Sequence, residues 1–322
     1  MKPRSFATLL VVAAGVVPCL YAQQSNLEVL TRAAAQNEQG KFRAALGIIQ
    51  PLLDSNTQKL DNVVVGVAWN IRGLALQNLG NLDEARRNYE SSIGILRALP
   101  DQKVQYANAL DNLGSLEADI GQLKESKVSR LRAKDLYDSA GDHAGAARIA
   151  GSLAILELAM GDRREARRYL ADAFHEEAHV AAPAPLNLAW LFGAECLLDE
   201  ADGKFQDGLD RINRVIDLWI HHYGSNYYLL ASAYSIRGRL YHVLGDDPRA
   251  EEDLRHSLLL LSDNNEGNSK MYFLVEIMCA EVLKNSGKKE DASRMESDAR
   301  AALERLRHQQ CAGCTISAEG IR

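Results

Sequence analysis

The chain has 322 residues, 47% hydrophobic and 25% charged, with a formal net charge of −6 and a pI near 5.8. These are the proportions of a globular protein, and strand-type alternation is scarce throughout. No basic face is concentrated anywhere, which argues against a nucleic-acid partner.

The first segment reads as a targeting signal. Lys2 and Arg4 precede an apolar stretch from Phe6 to Leu20 that contains Gly15 and Pro18, and Leu20-Tyr21-Ala22 ends in the small residue a cleavage site needs. The stretch is shorter than the roughly 20 residues that span a bilayer. Residues 1–22 are therefore expected to be a signal peptide cleaved near Ala22, leaving no transmembrane segment and a periplasmic or secreted chain. Pro18 stands where a lipoprotein signal has Gly or Ala, which disfavours lipid attachment at Cys19.

From residue 23 to about 308 the sequence is periodic. Gly40, Gly80, Gly121, Gly161, Gly203, Gly245 and Gly287 are separated by 40, 41, 40, 42, 42 and 42 residues. Seven residues before each lies a small one: Ala33, Gly73, Gly114, Ala154, Cys196, Gly238 and Ala280. Five residues after each lies another: Ala45, Ala85, Ser126, Ala166, Gly208, Ala250 and Ala292. Self-similarity at this period means stacked supersecondary units. Two antiparallel helices approach closely only where side chains are small, and the aligned glycine suits a turn with positive φ after a helix end. Apolar residues at helical spacing fill the rest, as in Ile71, Leu74, Leu76 and Leu79, then Leu82, Tyr89, Ile93 and Leu96. An all-α superhelix of about seven helix-turn-helix units follows.

The pattern resembles the tetratricopeptide repeat (TPR). Trp69-Asn70-Ile71-Arg72-Gly73 running to Gly80 and Ala85, and Tyr234-Ser235-Ile236-Arg237-Gly238 running to Gly245 and Ala250, are its best copies. Leu110-Asp111-Asn112-Leu113-Gly114 reads like the Leu-Asn-Asn-Leu-Ala of long-repeat, kinesin-light-chain-like members. The resemblance implies a non-enzymatic scaffold that binds a protein or peptide in the groove lined by the first helices. Carried onto this sequence, the groove stripe is Asn70, Gln77, Asn108, Asp111, Ser115, Arg148, Ser235, Arg239 and His242, with Asn112 adjoining. Amides there can bond an extended backbone without demanding particular side chains. The family's Lys and Asn set for capturing a C-terminal carboxylate is not reproduced.

Several positions depart from the pattern. Pro51 falls inside the first unit's second helix and should kink or end it near Gln50. Arg72 and Arg237 stand where the family has Leu and should pair with acidic neighbours. Ala181-Ala182-Pro183-Ala184-Pro185 makes a stiff junction, and Asp247 with Pro248 suits a helix start. Cys196 and Cys279 read as small core residues. The charges of the last helix, roughly Asp291 to His308, suit the polar cap a repeat stack requires.

Two local strings offer other chemistry. His175-Glu176-Glu177-Ala178-His179 matches H-E-x-x-H, whose two histidines share one helix face and hold zinc while the first glutamate acts as base. A zinc metallopeptidase is thus the alternative reading, with Glu195, Asp199 or Glu200 as third ligand. Its context argues against it: the string ends a repeat's second helix, and no further ligand motif follows. No cofactor is expected. In the polar tail, 309–322, Cys311-Ala312-Gly313-Cys314 forms a C-x-x-C pair that an oxidising compartment would tend to close into a disulfide.

Overall fold

The computed structural model describes residues 26–54, 60–182, 184–263 and 269–311, and these form fourteen helices and no strand. They are α1 (26–38), α2 (Phe42–Asp54), α3 (Asn62–Asn78), α4 (Leu82–Leu96), α5 (Lys103–Asp119), α6 (Leu123–Ala140) and α7 (His143–Ala159). Then come α8 (Arg163–Glu177), α9 (Pro185–Ala201), α10 (Phe205–Tyr223), α11 (Leu230–Val243), α12 (Asp247–Asp263), α13 (Lys270–Asn285) and α14 (Lys289–Cys311). Each odd-numbered helix is the first of a repeat, called A below, and each even-numbered one the second, called B. The helices alternate A and B, seven of each.

The turn between A and B is the same in every repeat. Gly80 has φ +80°, its N–H donates to the Gln77 carbonyl at 2.9 Å, and the Asn81 N–H donates back to Leu76 at 2.9 Å. This closes the helix end with a left-handed residue that only glycine adopts at no steric cost. The other six aligned glycines have φ between +73° and +85°.

Past the turn, the small residues set the distance between the two helices. All fourteen are buried. A Cβ added at Gly114 would lie 3.3 Å from the Ser126 carbonyl oxygen, and the Ser126 hydroxyl already donates to the Gly114 carbonyl at 2.6 Å. At Gly238 the Ala250 carbonyl would be 3.2 Å away, and at Gly73 the Tyr89 ring would be 2.6 Å away. The backbones meet with no room for a larger side chain.

The chain divides into two compact units, Met1–Gly145 and Ala146–Arg322. In the first, Leu30, Ile49, Leu52, Leu53, Ala68 and Ile71 join α1, α2 and α3, and Leu76, Tyr89 and Leu116 join α3, α4 and α5. In the second, Ala150, Ala173 and Leu191 link α7, α8 and α9. A longer cluster runs from α9 to α14 through Ile212, Trp219, Leu230, Leu254, Val275 and Leu283. Within each unit, neighbouring hairpins thus bury their apolar stripes against one another, as repeat units do.

Two local expectations need correction. Helix α2 does not end at Gln50 but continues through Pro51 to Asp54. Pro51 costs about 3 kcal/mol, but it carries Leu52 and Leu53 into the core, each contributing about 1.5–3 kcal/mol. The cap of α12 is Asp246, not Asp247: its carboxylate accepts from the Arg249 N–H at 3.2 Å, while Asp247 faces His242 Nδ1 at 2.5 Å. Pro248 does occupy the first turn. Pro185 opens α9, and Pro183 lies outside the described residues. Cys196 and Cys279 are free and buried; burial pushes the Cys196 thiol up to about 12 and that of Cys279 up as well. The last helix extends three residues past 308, to Cys311. The signal segment 1–22 and Cys314 lie outside the described residues.

Candidate functional site

The residues named above as a candidate stripe lie on A helices, and in the first unit their polar side chains tie one repeat to the next. Asn112 Nδ2 on α5 donates to Asn70 Oδ1 on α3 at 3.0 Å, across one repeat. The Gln77 amide donates to Asp119 at 2.6 Å and reaches Ser115 Oγ at 3.5 Å, while accepting from the buried Tyr89 hydroxyl at 2.8 Å. Asn108 accepts from the Tyr137 hydroxyl at 2.7 Å. Asp111 points the other way: it is buried, with Arg130 Nε at 3.9 Å. The stripe is therefore a pre-bonded amide ladder whose remaining donors and lone pairs are fixed in direction.

The second unit is built differently. Arg148, half-buried, stands on α7. On α11, Ser235 is buried and bonds within its own helix, Ser232 carbonyl at 2.8 Å. Arg239 reaches across to Glu200 of α9 at 2.6 Å, and His242 pairs with Asp247. Between these lies a residue the sequence stripe omitted. Trp190 on α9 is 36% exposed, and its indole Cδ1 would lie 3.4 Å from a Cβ at Gly151 of α7. A glycine there lets the ring rest directly on the neighbouring helix. One turn along α9, a Cβ at Gly193 would meet nothing within 4 Å. The result is an exposed indole beside an open notch. The signal was present in register: Leu27, Arg148, Trp190 and Leu274 all stand six residues before the aligned small residue of their helix, and Leu27 and Leu274 are exposed too.

The two histidines of the H-E-x-x-H string lie side by side, with ring centroids 4.9 Å apart. Helix α8 ends at Glu177, so His179 lies beyond it, and its Nδ1 sits 2.9 Å from the His175 carbonyl oxygen. The expected third ligands are engaged: Glu195 with Arg211 at 2.8 Å, Asp199 with the same guanidinium at 3.6 Å, and Glu200 with Arg239. Among the described residues no group of three His, Cys, Asp or Glu side chains is placed to hold a metal ion. Glu177 is itself the surprise. It is buried, neither carboxylate oxygen has a hydrogen-bond partner among the described residues, and burial pushes its pKa up. It stands sixteen residues after the turn glycine, the position held by Leu96, Tyr137, Trp219 and Leu261 in other repeats.

No family model matches the sequence, and no curated protein matches it. Solved structures do. NprR in complex with its cognate peptide NprX superposes with a TM-score of 0.66 at 12% identity, covering 97% of this chain and 92% of that one. The signal transduction ATPase with a tetratricopeptide repeat sensor, PH0952 from Pyrococcus horikoshii, gives 0.56 at 13% identity and covers 85% and 42%. The fold is TPR-like. A chain of the APC/C hetero-tetramer Cut9–Hcn1 gives 0.59 at 16% identity, covering 85% of this chain and 48% of that one, so this chain spans about half its length. At these identities the TPR-like likeness speaks for the fold alone. No helix among the described residues is long and apolar enough to cross a membrane.

Proposed function

We propose that this chain is a non-enzymatic interaction scaffold whose A helices bind a peptide or partner segment. The observation that carries the reading is Trp190 lying over Gly151 with the open side of Gly193 beside it. A tryptophan more than one-third exposed on a glycine floor gains by covering an apolar side chain. The amide ladder of Asn70, Asn112 and Gln77 supplies backbone-directed hydrogen bonds of the kind an extended segment needs. That NprR, of similar size and fold, was solved with a peptide supports the same reading.

The finer parts of the proposal rest on sequence. The units are of the long, kinesin-light-chain-like type, and the protein works in the periplasm or is secreted after cleavage near Ala22. Amino-terminal sequencing of the protein recovered from its native envelope checks the cleavage.

Peptides selected from a random display library against the full chain test the binding face. Binding of a selected peptide should blue-shift tryptophan emission, and Trp190→Phe should remove that shift. Arg148→Glu, Arg239→Glu and Asn112→Ala should each weaken capture with helicity unchanged. Peptides that bind all these variants as well as the parent would refute the assignment.

A further inference from the structure

The arginines that replace leucine in the repeat reveal a recurring slot, and the last repeat contains that slot without its arginine. In the second repeat, Arg72 lies between the B helix of its own hairpin and that of the preceding one. It donates to Asn88 at 2.9 Å and Glu84 at 2.6 Å on α4, and to Gln50 at 3.1 Å on α2. In the sixth repeat, Arg237 does the same, bidentate to Asp253 at 2.7 and 2.8 Å on α12 and bonded to Asn213 at 3.0 Å on α10. The register is the same in both. Arg72 and Arg237 directly precede the small residue of helix A; Asn88 and Asp253 follow that of helix B by three. The fifth repeat inverts the pair, Glu195 on A and Arg211 on B, 2.8 Å apart. Each slot also has an aromatic wall four residues before the small position of A: the guanidinium of Arg72 lies 5.8 Å from the Trp69 ring centroid, Arg214 3.9 Å from Phe192 and Arg237 5.2 Å from Tyr234.

In the seventh repeat the same positions hold Cys279, Met295 and Glu276. Neither Cys279 nor Met295 brings charge, and a cavity of about 380 Å³ opens between α12, α13 and α14. The sixth repeat, with its arginine present, has about 250 Å³ at the same place. Glu276, where an aromatic stands elsewhere, faces the cavity with Asp298, Leu283 and Met295. Burial and the Asp298 charge push the Glu276 pKa up, so the two carboxylates repel one another across the opening. Among the described residues neither has an ion-pair partner. The two cations of the wall are already paired, Arg255 with Glu251 at 2.9 Å and Arg294 with Asp291, also of the wall, at 2.7 Å.

We propose that this cleft, separate from the A-helix face, receives an arginine side chain of a partner polypeptide. Three features single out that occupant. The molecule fills the equivalent slots of its second, fifth and sixth repeats with a guanidinium, the walls offer Leu283 and Met295 to its alkyl stem, and Glu276 with Asp298 offers carboxylates to its planar head.

Methyl-¹³C methionine spectra of the full chain, with the Met295 resonance assigned by Met295→Leu, give a local readout. Titration with Nα-acetyl-arginine amide should shift Met295 saturably. The isosteric, uncharged citrulline amide should bind at least about tenfold more weakly, since the charge-assisted bonds are lost. Glu276→Gln combined with Asp298→Asn, with unchanged helicity, should abolish the shift. No saturable shift, an equal response to citrulline, or a response surviving in the double variant would overturn the proposal. A Met295 shift that grows with protein concentration alone would mark a second copy as the occupant, and would also overturn it.

Discussion

The second and sixth repeats, 165 residues apart and in different units, solve one packing problem with different chemistry. Both place an arginine in the slot and an aromatic beside it. Around Arg72 the acceptors are two neutral amides, Gln50 and Asn88, and a carboxylate, Glu84, whose side chain is 39% exposed. Around Arg237 the main acceptor is Asp253, with a side chain only 7% exposed. The register fixes where the guanidinium goes; burial of its acceptor decides what its loss costs.

The largest expected effect follows from that contrast. Arg237→Leu leaves Asp253 charged and buried, which should cost about 3–5 kcal/mol in urea unfolding. Arg72→Leu should cost about 1–3 kcal/mol, because Glu84 can turn to water and the amides are neutral. Arg237→Leu with Asp253→Leu should recover most of the loss, since a matched apolar pair often replaces a buried ion pair without penalty. Equal losses for the two single variants would end the comparison.

Within one hairpin the glycines can be ranked in the same way. At Gly73 an added methyl meets the ring of Tyr89, itself fully buried, so Gly73→Ala should cost about 1–3 kcal/mol. Gly80→Ala forces a non-glycine residue to φ +80° in open space, costing about 1–2 kcal/mol. Gly94→Ala, in the last turn of α4 and exposed with nothing within 4 Å, should instead stabilise by about 0.5–1 kcal/mol. Thermal melts of the three variants give the order and its change of sign.

These sites also mark what the sequence could and could not reveal. The turn glycines and the fourteen small positions were legible because each answers to local backbone geometry, repeated seven times. That Arg72 and Arg237 would need acidic company was legible from charge alone. Their bonds to Gln50 and Asn213 were not, because these lie on the preceding hairpin and several polar residues compete for one guanidinium. The groove stripe was legible as a helix face, yet Asp111 and Ser235 turned out buried on it: each stands three residues before a small core position, where the A helix begins to turn inward. Trp190 escaped notice because the stripe was drawn through polar residues, although its register with Arg148 and Leu274 placed it there. Pro51 shows the limit of a local rule, since Leu52 and Leu53 outweigh it.

The last effect concerns a core anchor that is an acid. Glu177 takes the place of Leu96, Tyr137, Trp219 and Leu261, and burial raises its pKa in the folded chain. The folded state therefore holds this proton more tightly than the unfolded state, where glutamate titrates near about 4.3. Below that pH both states are protonated and the side chain imposes no electrostatic penalty. As pH rises from there through the raised folded value, stability is lost, and beyond it the loss stays constant. Glu177→Gln, which keeps the shape but cannot ionise, should match the parent's melting at acid pH and exceed it at neutral pH. Glu177→Leu should be more stable than both at neutral pH, by about 1 kcal/mol or more over the parent, because it also removes the unpaired polar atoms. A parent-to-Gln gap that does not open with rising pH would show that the carboxylate finds solvent or a partner, and that the fourth repeat is closed by something other than its own core.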